Sequence, residues 1–161
     1  MLELNNKERM LLEDEKSHEQ LCIEKYKEYS SKACDPVLKN LFSQLQQKEE
    51  QHLNSINQML SGSVPVLPQQ NQQNQQNQQS QQGNQNTQQS PVQSNNNLQS
   101  ADDKYLCQDA LSTEKYVSST YNVSIFEMRD KNVRQMLNHI QKEEQEHGEQ
   151  IYNYMSQHGM Y

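Results

Sequence analysis

The sequence predicts an all-α fold, a four-helix bundle made of two helical hairpins that a long crossover joins. The flanking segments, 1–60 and 101–161, are rich in Leu, Met, Glu, Lys and Gln, which are helix-forming residues. They also repeat one another, because sliding the chain by 95 positions aligns residues 11–60 with 106–155 without a gap. Each aligned half is long enough for two helices, so we expect four in all.

Each half contains a turn marked by a helix-capping residue. In the first half, Asp35-Pro36 supplies an N-cap followed by a proline at the first helical position, and the helix after it ends near Leu60. In the second half Asp130 takes the same place. The helix before it can be capped by Ser100, and the helix after it ends near Gly159.

The segment between the two halves has an unusual composition. It carries no charged residue from Ser61 to Ala101 and is dominated by Gln and Asn from Gln69 to Gln99. So little apolar surface cannot offset the entropy of ordering, and we expect residues 61–100 to be disordered. Such a linker easily runs beside a helix of about 25 residues, which is about 38 Å long. It is interpreted either as a passive spacer or as a tether that fixes the bundle to its neighbours.

Composition excludes several classes of protein. The net charge of −7 and the lack of a basic stripe argue against nucleic-acid binding. No apolar window is long enough to span a bilayer, and the first residues contain no apolar signal segment, so we expect synthesis in the cytoplasm and no membrane partner. Three cysteines without a CxxC pair argue against a disulfide framework or a zinc knuckle.

Glutamates interrupt the apolar face of every predicted helix. Following each face at helical spacing gives one buried Glu per helix, and in two helices a His one turn later. The set is Glu19, Glu49, His52, Glu114, Glu144 and His147. Each Glu lies about 15 residues, or roughly 22 Å, from its own turn. All four carboxylates are therefore expected at one height in the bundle.

Four carboxylates buried at one level would repel one another and lose their hydration. Two divalent cations remove that cost, and the two histidines complete the ligand set. One Glu from each of two helices, with Glu-x-x-His from the other two, is the pattern of the ferritin-like di-iron and di-manganese proteins. The sequence therefore predicts two metal ions, iron or manganese. The alternative is a buried polar network that holds no metal.

Other polar residues near these positions are interpreted more simply. Tyr26 and Tyr121 follow Glu19 and Glu114 by two turns, and are either ordinary core residues or supports of the metal ligands. Four further groups are interpreted as solvated or rim residues, namely Glu15, His18, His139 and Glu143.

About the last 60 residues resemble the spore coat protein F family. The resemblance is carried by the segments Ser112–Asn122, Asn132–Leu137 and Tyr154–Tyr161, and more weakly in the first half by Glu19, Tyr26, Asp35-Pro36 and Glu49-Glu50-Gln51-His52. It implies a ferritin-like helical fold and a place in the endospore coat after synthesis in the mother-cell cytoplasm. It also implies contacts with other coat proteins and with further copies of this chain.

Three functions remain open at this point. The first is a structural coat component that carries the metal site within its bundle. The second is an oxidoreductase whose di-metal centre reacts with oxygen or peroxide and protects the spore. The third is a ferroxidase or metal store, which is disfavoured because storage needs a cage that nothing in the sequence indicates.

Overall fold

Four helices make up the described part of the chain, residues 2–67 and 96–161 of a computed structural model. They are α1 (Asn6–Lys32), α2 (Pro36–Leu60), α3 (Asn96–Glu127) and α4 (Lys131–Gln157). The predicted all-α arrangement of four helices is thereby confirmed. The central part of the predicted linker, 68–95, lies outside the described residues.

The predicted capping residues are confirmed at both hairpin turns. Asp35 accepts a hydrogen bond from the backbone N–H of Val37, with Pro36 at the first helical position. Asp130 accepts from the backbone N–H groups of Asn132 and Val133. Each cap satisfies donors that the first turn of a helix leaves unpaired, which fixes where α2 and α4 begin.

Helix α3 begins earlier than the sequence suggested. It starts at Asn96, four residues before the cap predicted at Ser100. Residues 96–100 contain neither Gly nor Pro, so nothing in this stretch stops the helix from extending toward its N-terminus.

The crossover direction follows from contacts between the hairpins. Lys25 on α1 pairs with Asp109 on α3 at 2.6 Å, whereas Glu15, earlier on α1, accepts from Ser124, later on α3. Helices α1 and α3 are therefore antiparallel. Because α1 and α2 form a hairpin, α2 and α3 run in the same direction, and the connection between them must travel the length of the bundle.

Two acidic residues tie each hairpin to the turn of the other. Glu8 on α1 accepts from the backbone N–H of Arg129, in the α3–α4 turn, at 2.8 Å. Asp103 on α3 accepts from the backbone N–H of Cys34, in the α1–α2 turn, at 2.7 Å. The two pairs are related by the 95-residue repeat. In each, a carboxylate near one end of a hairpin accepts a hydrogen bond from the backbone of the other hairpin's turn.

The apolar core lies between the four helices. Its largest fully buried side chains are Leu12, Tyr26, Leu38, Phe42, Leu45, Ile56, Met59, Tyr121, Leu137, Ile140, Ile151 and Met155. Of the helices in the described ranges, none combines the length and apolar character needed to cross a bilayer.

Candidate metal centre

All six residues predicted from the sequence meet at the middle of the bundle. Each helix contributes one carboxylate, and α2 and α4 each add a histidine one turn later. Every one of these side chains is at most 2% exposed, which places four carboxyl groups and two imidazoles inside the apolar core. Groups of this kind are rarely buried unless they are paired or bind a metal.

The six side chains form two overlapping groups. Ligand atoms of Glu19, Glu49, His52 and Glu144 all lie within 4.8 Å of one another, and so do those of Glu49, Glu114, Glu144 and His147. Glu49 and Glu144 belong to both groups. This arrangement offers two adjacent cation positions with two carboxylates that can bridge them, which is the geometry expected from the sequence.

Both histidines turn Nδ1 toward the carboxylates. His52 Nδ1 lies 2.9 Å from Glu144 and 3.1 Å from Glu49. His147 Nδ1 lies 3.1 Å from Glu49 and 3.7 Å from Glu114. The rings themselves are stacked with their centroids 5.5 Å apart. His52 therefore offers Nδ1 to the group that contains Glu19, and His147 offers Nδ1 to the group that contains Glu114.

Several of these atoms lie close to one another but have no partner in hydrogen-bonding geometry, including Oε1 of Glu144, 2.9 Å from His52 Nδ1, and Oε1 of Glu49, 3.1 Å from His147 Nδ1. Among the described residues, the buried side-chain atoms without such a partner are Oε2 of Glu19, Oε1 of Glu49, Oε2 of Glu114, both oxygens of Glu144 and Nδ1 of His147. They all belong to the six predicted residues. An unpaired buried polar atom costs about 1–3 kcal/mol, more if charged, so their concentration at one place fits a site that binds cations. Carboxylate oxygens with imidazole nitrogens suit iron and manganese.

The pKa values of the clustered glutamates reflect both their burial and their mutual repulsion. Burial, with the neighbouring Glu49 carboxylate, raises the pKa of Glu19 to about 8. Burial also raises the pKa of Glu144 well above its usual value. Burial acts on Glu49 in the same direction, but the adjacent His147 and His52 bring its pKa down to about 2. Burial and the neighbouring carboxylates thus raise the pKa of Glu19 and Glu144, whereas the two imidazoles lower that of Glu49.

Two tyrosines support the outer carboxylates reciprocally. The hydroxyl of Tyr26 donates a hydrogen bond to Glu114, and the hydroxyl of Tyr121 donates to Glu19. Both tyrosines are fully buried. Since 121 and 114 follow 26 and 19 by 95 residues, the two contacts are equivalent and cross between the hairpins. The sequence left open whether these tyrosines are ordinary core residues or supports of the metal ligands, and the two contacts favour the second interpretation.

Glu143 also contacts the centre, which the sequence interpretation missed. Its carboxylate lies 3.0 Å from His52 Nε2, on the side of the ring that faces away from the cluster. The hydrogen bond with His52 lowers the pKa of Glu143 to about 2. An ionised carboxylate only accepts, so Nε2–H donates and Nδ1 is left facing the cluster. His139 lies beside the same carboxylate, at 3.4 Å.

Glu15 was wrongly interpreted as a solvated or rim residue. Its side chain is 1% exposed and accepts hydrogen bonds from Ser124 at 2.6 Å and Thr120 at 2.9 Å, with His18 at 3.3 Å. Hydroxyl donors on α3 make its burial tolerable. It is directed at α3 rather than at the six candidate ligands, so it belongs to the contact between α1 and α3.

A comparison with protein families matches part of the chain. The model of the Coat F domain matches residues 102–161. The second hairpin is therefore similar to the Coat F domain over almost its whole length. This match confirms the resemblance to the spore coat protein F family and covers Glu114, Glu144 and His147, half of the candidate ligands.

The first hairpin lies outside the matched Coat F domain, although the repeat gives it the other three candidate ligands. Neither the curated proteins nor the solved structures contain a match to this chain.

Proposed function

We propose that this protein is a spore coat component of ferritin-like fold whose bundle holds two divalent metal ions, iron or manganese. The observation that carries the metal assignment is a concentration of unpaired buried oxygen and nitrogen atoms, which belong to five of the six candidate ligands and come from all four helices. The Coat F domain at residues 102–161 supports a place in the coat, among other coat proteins and further copies of the chain.

The residues divide their roles by position. Glu19 and His52 would hold the first ion and Glu114 and His147 the second, while Glu49 and Glu144, which belong to both groups, would contribute to both. Tyr26 and Tyr121 orient the outer carboxylates, while Glu143 keeps Nδ1 of His52 directed inward. When bound, iron or manganese would supply a centre that can exchange electrons with oxygen or peroxide.

A second function is oxygen or peroxide chemistry at this centre. It is favoured by an open pocket that Glu114 and Glu144 help to line, since a metal that only holds helices together needs no opening. Peroxide decomposition and oxygen consumption by the metal-loaded protein distinguish an oxidoreductase from a purely structural coat component.

The metal centre is tested by metal content and thermal stability. Protein purified without chelators should contain two ions per chain, and added Mn²⁺ or Fe²⁺ should raise the Tm of metal-free protein. A ligand at 100 times its Kd stabilises the native state by about 2.7 kcal/mol. Glu49→Ala and Glu144→Ala should abolish the response, whereas Glu50→Ala, which removes an exposed neighbour of Glu49, should leave it intact.

Two results would contradict the proposal. A wild-type Tm that does not respond to either metal would leave the six residues as a buried polar network. A protein absent from the coat fraction of purified spores would remove the coat assignment.

A further inference from the structure

An open pocket lies beside the candidate centre, between α3 and α4. Its volume is about 360 Å³, and its lining includes Leu111, Glu114, Lys115, Ser118, Glu144 and Gly148. Glu114 and Glu144 are the point of contact with the centre, because both belong to the group that contains His147. The pocket therefore lies directly outside the second metal position, with the buried carboxylate oxygens of Glu114 and Glu144 behind its lining.

Gly148 keeps this pocket open. A Cβ at this position would lie 3.5 Å from Cδ1 of Leu111 and 4.0 Å from Cβ of Glu114, which are ordinary contact distances. A methyl group therefore fits, whereas a longer side chain would enter the space in front of Glu114. Glycine inside a helix costs about 1 kcal/mol relative to alanine, so Gly148 reduces the stability of α4 and leaves the space beside Glu114 unfilled.

The internal repeat provides a comparison within the same molecule. Shifting by 95 residues places Gly148 on Leu53 and Ser118 on Ile23, both of which are half-buried. The first hairpin thus has bulky apolar side chains at the two positions where the second hairpin has a glycine and a serine. The centre is nearly symmetric in its candidate ligands but not in the side chains that surround it.

We propose that small uncharged oxygen species, dioxygen or hydrogen peroxide, reach the centre from the α3–α4 side, past Gly148 and Ser118. This inference rests on the proposed metal centre and assigns the route by which small molecules enter it. Glu114 and Glu144 are at most 2% exposed, so only a molecule of a few atoms can reach them. Their carboxylates at the inner end disfavour anions.

The test gives the second hairpin the side chains of the first, as Gly148→Leu and, separately, Ser118→Ile. Nitric oxide serves as an uncharged diatomic probe of the protein loaded with Fe²⁺ without oxygen, and its association rate is measured by stopped-flow absorbance. Because the interior around the opening is close-packed, a larger side chain in the opening should slow the association of nitric oxide by about tenfold. Gly148→Ala is the control, since a methyl group fits, and should bind at the wild-type rate. Metal content and circular dichroism are measured for every variant.

The outcomes separate the entry route from the metal centre. If both variants keep their metal and bind nitric oxide as fast as the wild type, the entry route is wrong and the metal centre stands. If the wild type takes up no iron, both proposals fail. Should Gly148→Leu lose its fold or its metal, Ser118→Ile decides, because this substitution is at a different helix and leaves α4 unchanged.

Discussion

Glu143 lies 3.0 Å from Nε2 of His52, and the repeat gives His147 no equivalent carboxylate. The residue that corresponds to Glu143 is Lys48, whose Nζ lies 3.5 Å from Glu143 itself. A carboxylate behind a histidine fixes its tautomer and raises its basicity as a metal ligand. The two proposed metal positions are therefore inequivalent, with the His52 position better supported.

Glu143→Gln should lower the metal affinity of the position that contains His52 and leave the other position unchanged. Loss of a carboxylate behind a ligating histidine lowers metal affinity by about 10–100-fold. Titration with Mn²⁺ under calorimetry should then resolve one weakened and one unchanged binding step. The control Glu146→Gln removes a carboxylate that is half exposed on the same helix and pairs with Lys142, away from the candidate centre. Equal weakening of both steps would contradict the inequivalence.

Tyr26→Phe and Tyr121→Phe should destabilise the protein to similar extents. Each removes the hydroxyl donor to a buried carboxylate, Glu114 or Glu19, and the two contacts are related by the repeat. An acceptor left without its donor costs about 1–3 kcal/mol, which urea unfolding of metal-free protein measures. Tyr105→Phe changes an exposed tyrosine on α3 and should have little effect. A loss confined to one variant would mean that the two contacts are not equivalent.

The four helices and the six candidate ligands could be predicted from the sequence, because charged residues are unusual on the apolar face of a helix. An apolar face that contains Glu49 and His52 stands out, and its repetition as Glu144 and His147 makes chance improbable. The structure brings these residues within metal-binding distance of one another at the expected height. Helical spacing was a reliable guide here since each helix buries one continuous face.

The residues that the sequence did not reveal lack such a signal. Glu143 corresponds to Lys48 and Glu15 to Ala110, so the repeat does not mark either of them. Their partners, His52 for Glu143 and Ser124 for Glu15, lie on other helices far away in the sequence. Such contacts depend on how neighbouring helices are rotated and packed, which helical spacing alone does not specify.

Glu8 should make the stability depend on pH in the acid range. Arg129, which hydrogen bonds to its side chain, lowers the pKa of Glu8 from 4.5 to about 2. A carboxyl group whose pKa is lower in the folded protein adds stability that is fully present above its unfolded pKa and is lost as the pH falls from 4.5 toward 2. Glu8→Gln should therefore reduce the free energy of unfolding by about 1–3 kcal/mol at pH 7.

The difference between wild type and Glu8→Gln should shrink as urea unfolding is repeated from pH 6 down to pH 3. Glu127→Gln is the control, since Glu127 makes an exposed pair with Lys7 at 2.7 Å. Such surface pairs contribute about 0–1 kcal/mol. A deficit in Glu8→Gln that stays constant over this pH range would show that the charge of Glu8 is not what stabilises this end of the bundle.

Replacement of the linker should affect stability only where its ends contact the bundle. Residues 68–95 contain no charged residue and little that is apolar, so a Gly/Ser segment of equal length should leave the Tm nearly unchanged. Replacement of 61–100 should lower the Tm, because Val64 and Leu67 pack against the core and Gly62 accepts a hydrogen bond from the backbone of Leu2 at 2.9 Å. Thermal unfolding of the two variants under identical conditions measures both effects. Loss of a cooperative transition in the 68–95 variant would mean that this segment takes part in folding, since that variant keeps every contact made by residues 61–67.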